Sequence, residues 1–300
     1  MRVITRRGLS AALACAAVWV AGCTPSPAPQ PAPTPANVRP SAVASPETGA
    51  YPPRFVVGHA AYEITAVGLV SDPNDSLGRQ DTVMTNTSLA YDTRLAGPQI
   101  QVTGEIRSRV ATASAALRRT DSTGGTRSLF QAMVDTASGA VTVAPDSMAP
   151  LARCLARDPS VDQARLLATT RPRSFTPAAT WRDVVTDSSC LGGVPLVTHA
   201  TRDYAVAPQP ATDPVSGAGA VLIAHTSTTT MTGSGHRAGH YITLNGSGTG
   251  ATEEYYDRKT GALLSAHTTA TLDLDITVGG RVQRLHQQAN WQARMKGGGR

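Results

Sequence analysis

An alternation of side chains with a period of two runs through most of this chain, and it confines the fold to antiparallel β-structure. Tyr62-Glu63-Ile64-Thr65-Ala66-Val67 and Gln99-Ile100-Gln101-Val102-Thr103-Gly104-Glu105-Ile106 set the pattern. Successive residues of a strand point to opposite faces, so a repeat of two marks one wet and one buried face. Leu272-Asp273-Leu274-Asp275-Ile276 follows it most cleanly. The same reading predicts strands at 55–57, 81–85, 128–134, 196–200, 203–206, 220–226, 240–244, 254–257, 262–271 and 281–291. Turn formers separate them, among them Asp72-Pro73-Asn74-Asp75, Gly97-Pro98, Gly124-Gly125 and Gly279-Gly280. The glycine-rich residues 245–250 are expected to form a turn or bulge. Connections this short leave no room for crossover helices. The expected class is therefore mainly β, an antiparallel curved sheet or half-open barrel.

Helical spacing occurs in one region. Met148, Leu151 and Leu155 share a helix face, with Asp146 or Ser147 as the cap and Pro159 as the stop. A second short helix is expected over 160–167, and Trp181 is expected to anchor the core at a strand start. An internal echo flanks this region. Asp135-Thr136-Ala137-Ser138-Gly139-Ala140-Val141 and Asp257-Arg258-Lys259-Thr260-Gly261-Ala262-Leu263 both read D-x-x-[S/T]-G-A-aliphatic. Asp at the start and a glycine at positive φ suit a hairpin loop. Two related β halves, 54–145 and 181–295, joined by a helical linker at 146–180, would account for the echo, as would chance recurrence of a common hairpin. Residues 296–300 read as a frayed tail.

The N-terminus is an address. Arg2, Arg6 and Arg7 precede an apolar run from Leu9 to Ala21. That run is shorter than the ~20 apolar residues of a membrane span and has the length of a signal-peptide core. It ends Val20-Ala21-Gly22-Cys23, which resembles the lipobox of bacterial lipoproteins. The resemblance implies a signal peptide at 1–22, cleavage before Cys23 and lipidation of its thiol. It further implies a durable membrane anchor, because two or more acyl chains bind stably where one does not. Thr5-Arg6-Arg7-Gly8-Leu9 resembles a twin-arginine export motif, with ordinary Sec export as the alternative. Thr24 stands where lipoproteins kept in the inner membrane often carry Asp, which implies the periplasmic face of an outer membrane in a diderm cell. Residues 23–53 are the lipidated cysteine and a tether. Pro25-Ser26-Pro27-Ala28-Pro29-Gln30-Pro31-Ala32-Pro33-Thr34-Pro35 excludes helix and sheet and favours polyproline II. About 30 such residues span up to ~90 Å.

Charge and cysteine usage narrow the possibilities. The formal charge of +6 falls by the three arginines of the leader to about +3, and the basic residues are scattered. No basic run is interleaved with aromatics, which argues against a nucleic-acid partner. Of four cysteines, Cys15 leaves with the leader and Cys23 takes lipid. Cys154 and Cys190 remain, and in an oxidising compartment they are expected to form a disulfide, contributing about 4 kcal/mol.

No GxSxG, HExxH or SxxK motif is present, and Gly246-Ser247-Gly248-Thr249-Gly250 lacks the lysine and βαβ context of a phosphate loop. No cofactor is expected. His236 and His240 have the spacing of a zinc pair on a helix, but three nearby glycines oppose a helix and no third ligand is near. They are weak metal candidates, and exposed histidines on a loop and strand are the plainer reading. His199, His225, His267 and His286 are expected to face solvent or to partner core groups. Glu253-Glu254 and Asp273/Asp275 are possible carboxylate pairs, with a solvated strand face as the alternative.

The order of parts is similar to a group of uncharacterised β-rich bacterial envelope lipoproteins, through Pro177 and Trp181 before the Tyr204 strand and the Asp257 hairpin after it. Ala179-Thr180 stand where that group usually has Gly-Asp. The sheet pattern also resembles the periplasmic lipoprotein-carrier superfamily, whose half-open barrel holds lipid. Neither resemblance carries over catalytic residues. The expectation is a lipid-anchored envelope protein, non-enzymatic, that binds an apolar ligand or an envelope partner. The alternatives are a structural or assembly lipoprotein with no small ligand, and a hydrolase with a His/Asp site.

Overall fold

The computed structural model describes residues 57–113, 128–135, 141–142, 164–169 and 171–296, apart from 76, 77, 79, 166, 192, 193 and 238. The leader, Cys23, the tether and Cys154 lie outside these residues, as do most of the expected linker and the tail after Lys296. Among the described residues twelve strands form: β1 (Gly58–Ser71), β2 (Gln80–Ala96), β3 (Gln99–Ala113), β4 (Ser128–Asp135), β5 (Val141–Thr142), β6 (Thr180–Leu191), β7 (Val194–Val206), β8 (Ala211–Thr212), β9 (Gly219–Arg237), β10 (His240–Asp257), β11 (Leu263–Val278) and β12 (Arg281–Lys296). The mainly β class is confirmed. Among the described residues one antiparallel sheet runs β5-β4-β3-β2-β1-β12-β11-β10-β9-β7-β6 and does not close, with β8 beside β9.

The two expected halves share this one sheet. β1 pairs with β12 over eleven residues, from Ala61↔Lys296 to Ser71↔His286. The first strand thereby bridges both sets of hairpins. Residues 164, 165 and 167–169 are helical, within and just beyond the expected second helix.

The alternation sorts side chains as expected. On β11 the burial alternates from Leu272 to Ile276, and Asp273 and Asp275 face water. Asp273 pairs with His286 at 2.8 Å and Asp275 with Arg284 at 3.5 Å. Glu63 holds Arg294 at 3.1 Å and also Lys296, so its carboxyl sits below the usual carboxylate range. His59–Asp92 and Arg182–Asp203 add further pairs on the outer, convex face.

The concave face carries two apolar clusters. One gathers Tyr62, Leu89, Val102, Phe130, Tyr204, Ile223, Tyr256 and Trp291, with helical Ala164 and Ala168 packed in. The helical pair is four apart, one face of a turn. The other gathers Val70, Val83, Leu196, Met231, Leu244, Leu272, Leu274 and Leu285. Trp181 packs against the first cluster at the start of β6, as expected from the sequence.

Three sequence expectations need correction. Residues 245–250 are not a turn but the middle of β10, so 240–244 and 254–257 belong to one strand. Glycine is needed there for close approach. A Cβ on Gly248 would strike the carbonyl oxygen of Thr271 and stand 3.3 Å from Cα of Leu272, and one on Gly246 would lie 2.9 Å from Cγ of Met231. Likewise 196–200 and 203–206 are one strand, β7. Val57 precedes β1 rather than ending a strand.

The Asp257 loop is a hairpin with glycine at positive φ. Asp257 Oδ1 accepts from the amides of Lys259 (3.0 Å) and Thr260 (2.6 Å) and from the Thr260 hydroxyl (2.8 Å), and Gly261 has φ 73°. Asp213-Pro214-Val215-Ser216-Gly217-Ala218 repeats the first six positions of the motif, with Gly219 where the other two copies carry an aliphatic residue. Its Asp213 accepts from the Ser216 amide at 2.7 Å, and Gly217 has φ 70°. Asp257→Ala is expected to lower stability by about 1–2 kcal/mol through loss of these turn bonds, read as a urea-midpoint shift.

Candidate functional site

The interior side of the sheet is where this chain concentrates groups that can act on a ligand. Strand register sets them in rows. Trp181, Tyr204 and His225 lie side by side on β6, β7 and β9. Trp181 stacks on Tyr204 with centroids 4.9 Å apart, and the His225 ring lies tilted against Tyr204 at 4.6 Å. The next row holds Asp183, Arg202 and Ser227. On the neighbouring strands Thr252, Thr268, Trp291 and Ala66 form a row of their own.

Several of these groups are buried without full hydrogen bonding. Nδ1 of His225, Oγ of Ser227, Nε1 of Trp291 and the acceptor Oδ1 of Asp183 have no hydrogen-bond partner, and His225, Ser227 and Trp291 are only 9%, 4% and 8% exposed. Such an atom costs about 1–3 kcal/mol of folding stability. Thr252 and Thr268, by contrast, bond each other at 2.9 Å.

Burial also shifts protons here. Burial pushes the Tyr204 hydroxyl up to about 12 and holds the His225 imidazole down at about 4, with the Arg202 charge adding to the latter. Glu254 keeps some solvent contact, yet burial pushes its carboxyl up to about 7. A 3.0 Å bond from Tyr256 and the charges of Arg202 and Arg171 pull the other way. Glu253 beside it is exposed, so the two carboxylates do not act as a pair.

These shifts set opposite pH windows. The Glu254 pKa is raised on folding, so its contribution is fully present below about 4.5 and is lost as pH rises through 7. The His225 pKa is depressed, so its contribution is present above about 6.5 and is lost as pH falls through 4. Glu254→Gln is expected to gain on wild type between pH 5 and 8, by at most about 3 kcal/mol. Thermal melts across that range check it, and parallel curves for the two proteins would contradict it.

His236 and His240 sit at the β9–β10 hairpin, where His240 pairs with Arg237 and Tyr241 with His236. His240 follows the parity of inward Ile242, whereas His236 falls on the opposite side from inward Met231. The two therefore cannot chelate together, and His236 packs instead on Tyr241 at 5.1 Å. Among the described residues no group of three or more His, Cys, Asp or Glu could hold a metal ion. His199 is exposed and bonds Thr186 at 2.9 Å, and His286 pairs with Asp273. Cys190 stands opposite Pro195 on the β6–β7 pair. Its expected bridge to Cys154, and lipidation at Cys23, involve residues outside those described.

No family model matches the chain, and no curated protein matches it in sequence. Solved structures similar to it include an outer membrane channel from Pseudomonas putida F1, at 9% identity over 85% of this chain and 100% of that one, with a TM-score of 0.29. Pseudomonas putida OprB follows at 8% identity, 80% and 94% coverage and a TM-score of 0.26. The translocator domain of the Neisseria meningitidis autotransporter NalP gives 10%, 79%, 88% and 0.21. Likeness at this level extends to long antiparallel strands and no further. The polarity of the present sheet differs from that of a membrane-spanning barrel, which turns an apolar band outward. Here the apolar clusters line the concave face and the ion pairs line the convex one.

Proposed function

We propose that this is a lipid-anchored cell-envelope protein, non-enzymatic, that holds an apolar ligand against the concave face of its open sheet. The observation that carries the reading is an unclosed sheet whose inward-facing side chains gather into two buried apolar clusters. Unclosed edges can part to admit a ligand without breaking a barrel seam. The resemblance of the leader to a lipobox supports anchoring through Cys23, and the proline-rich tether supports a working position well above the membrane. Thr24 favours the periplasmic face of an outer membrane. A hydrolase reading has less support: His225 and Ser227 share the interior, but neither bonds the other.

A second reading, docking of an envelope protein, draws on β6, which has a partner on one side only among the described strands. An unpaired strand edge is a template for another chain. The ligand reading is tested with a full-length chain carrying Cys23→Ser, exported and purified without detergent. The change is expected to move the protein from the membrane fraction to the soluble one. The soluble protein is expected to enhance the fluorescence of the apolar probe N-phenyl-1-naphthylamine in a saturable way. Retention on the membrane would oppose the anchor, and absence of saturable binding would oppose the ligand.

A further inference from the structure

The inner face is not apolar throughout. Along β6 the residues that turn inward, Trp181, Asp183 and Val185, are half-buried, and no described strand flanks them on the far side. Trp181 packs on the inner cluster, and Asp183, two residues on, shares its face. Register sets Arg202 of β7 opposite Asp183, and Ser227 of β9 opposite Arg202. A carboxylate, a guanidinium and a hydroxyl thus follow one another across three strands, about 4.8 Å from strand to strand. Asp183 and Arg202 keep solvent contact, whereas Ser227 is buried at the inner end of the row.

The row holds hydrogen-bonding capacity of both kinds. Asp183 Oδ1, an acceptor, has no hydrogen-bond partner although a guanidinium lies one strand away. The Ser227 hydroxyl has none either. Arg202 donates to the Tyr204 hydroxyl, and its five N–H groups let it serve a second acceptor. The aromatic row of Trp181, Tyr204 and His225 lies two residues along the strands, roughly 7 Å away. Glu254 and Arg171 add one charge of each sign nearby, so acids and bases balance.

This arrangement discriminates by charge. A simple cation on Asp183 would face Arg202, and a simple anion on Arg202 would face Asp183, and like charges this close repel. A small zwitterion meets both groups in charge-assisted hydrogen bonds. An α-amino acid carries its two charges on one carbon, which suits two side chains on neighbouring strands. We propose that Asp183, Arg202 and Ser227 form a binding site for a free α-amino acid with an aromatic side chain. Its ammonium donates to Asp183, its carboxylate accepts from Arg202 and from the Ser227 hydroxyl, and its ring rests against the Trp181–Tyr204 row. This site stands apart from the apolar ligand proposed above, and neither depends on the other.

The test is isothermal titration calorimetry on the exported wild-type chain, solubilised in a nonionic detergent. The probes are L-phenylalanine and two analogues that keep the ring and one charge each. Phenethylamine lacks the carboxylate, and 3-phenylpropionate lacks the ammonium. L-Phenylalanine is expected to bind at least about ten-fold more tightly than either. Asp183→Asn is expected to weaken L-phenylalanine by at least about ten-fold without weakening 3-phenylpropionate. Ser227→Ala is expected to weaken both carboxylates alike. Absence of L-phenylalanine binding at millimolar concentration would overturn the proposal, as would equal binding of the three compounds by wild type. Unchanged L-phenylalanine binding in an Asp183→Asn chain that melts like wild type would overturn it too. If that variant does not fold, the analogue series on wild type decides alone.

Discussion

Tyr62→Ala is expected to remove roughly 4 kcal/mol of unfolding free energy, the largest loss from any single core truncation in the sheet. Tyr62 is 1% exposed on β1, the strand that joins the two sets of hairpins. Its ring stacks on Tyr91 of β2 at 5.8 Å, and its hydroxyl donates to the Leu263 carbonyl at 2.8 Å. The residue thus ties β2 to the start of β11, across 201 positions of sequence for the hydrogen bond alone. Burial drives the hydroxyl pKa well above its ordinary value, so it stays a donor at every practical pH. Tyr62→Phe keeps the ring and loses only the donor, so about 1–2 kcal/mol is expected. Urea unfolding of the three proteins checks both figures. Equal losses for Phe and Ala would place the whole effect in the hydrogen bond and contradict the packing account.

Gly248→Val is expected to cost roughly 3 kcal/mol or to prevent folding, although valine is the better strand former. The reason is contact, not backbone conformation. The added Cβ meets main-chain atoms of β11, which cannot rotate aside, so the β10–β11 pair would have to separate locally. Gly280 offers the contrast. It has φ 79° in the β11–β12 turn and open space around its would-be Cβ. Gly280→Ala is expected to cost about 1–2 kcal/mol from the left-handed conformation alone. Comparing the two melts separates crowding from strain.

The alternation at Leu272–Ile276 and at Tyr62–Val67 made the class legible, because one buried face is a local property of a strand. The Asp257 loop was legible for the same reason: its aspartate, threonine and glycine satisfy one another within five residues. The misreadings came from the opposite situation. Asn245 to Gly250 has the composition of a turn, and local preference is all that a glycine displays in sequence. What places those glycines in a strand is the approach of Leu272 and Met231, more than 14 positions away on either side. The β1–β12 pairing is equally invisible, since its register depends on side chains separated by more than 200 residues.

The interior polar groups were hidden for a related reason. In Ile223-Ala224-His225-Thr226-Ser227-Thr228 both parities carry small or polar residues. Parity says that His225 and Ser227 share a face but not which face is buried. In sequence Glu254 stands as half of a pair with Glu253, because adjacency conceals that a strand sends the two to opposite sides. In sequence Trp291 marks only the end of a strand. Its burial depends on strands supplied by both ends of the chain.

The central claim is that the concave face of this open sheet carries an apolar ligand. Native mass spectrometry on the Cys23→Ser chain, exported by a bacterial host and purified without detergent, tests it most directly. The account predicts a folded species heavier than the chain, with the added mass released on denaturation and fragmenting as a lipid. A folded species at the bare mass of the chain, unchanged after incubation with phosphatidylcholine vesicles that carry dioleoylglycerol, would contradict it and leave the structural reading of the sheet in its place.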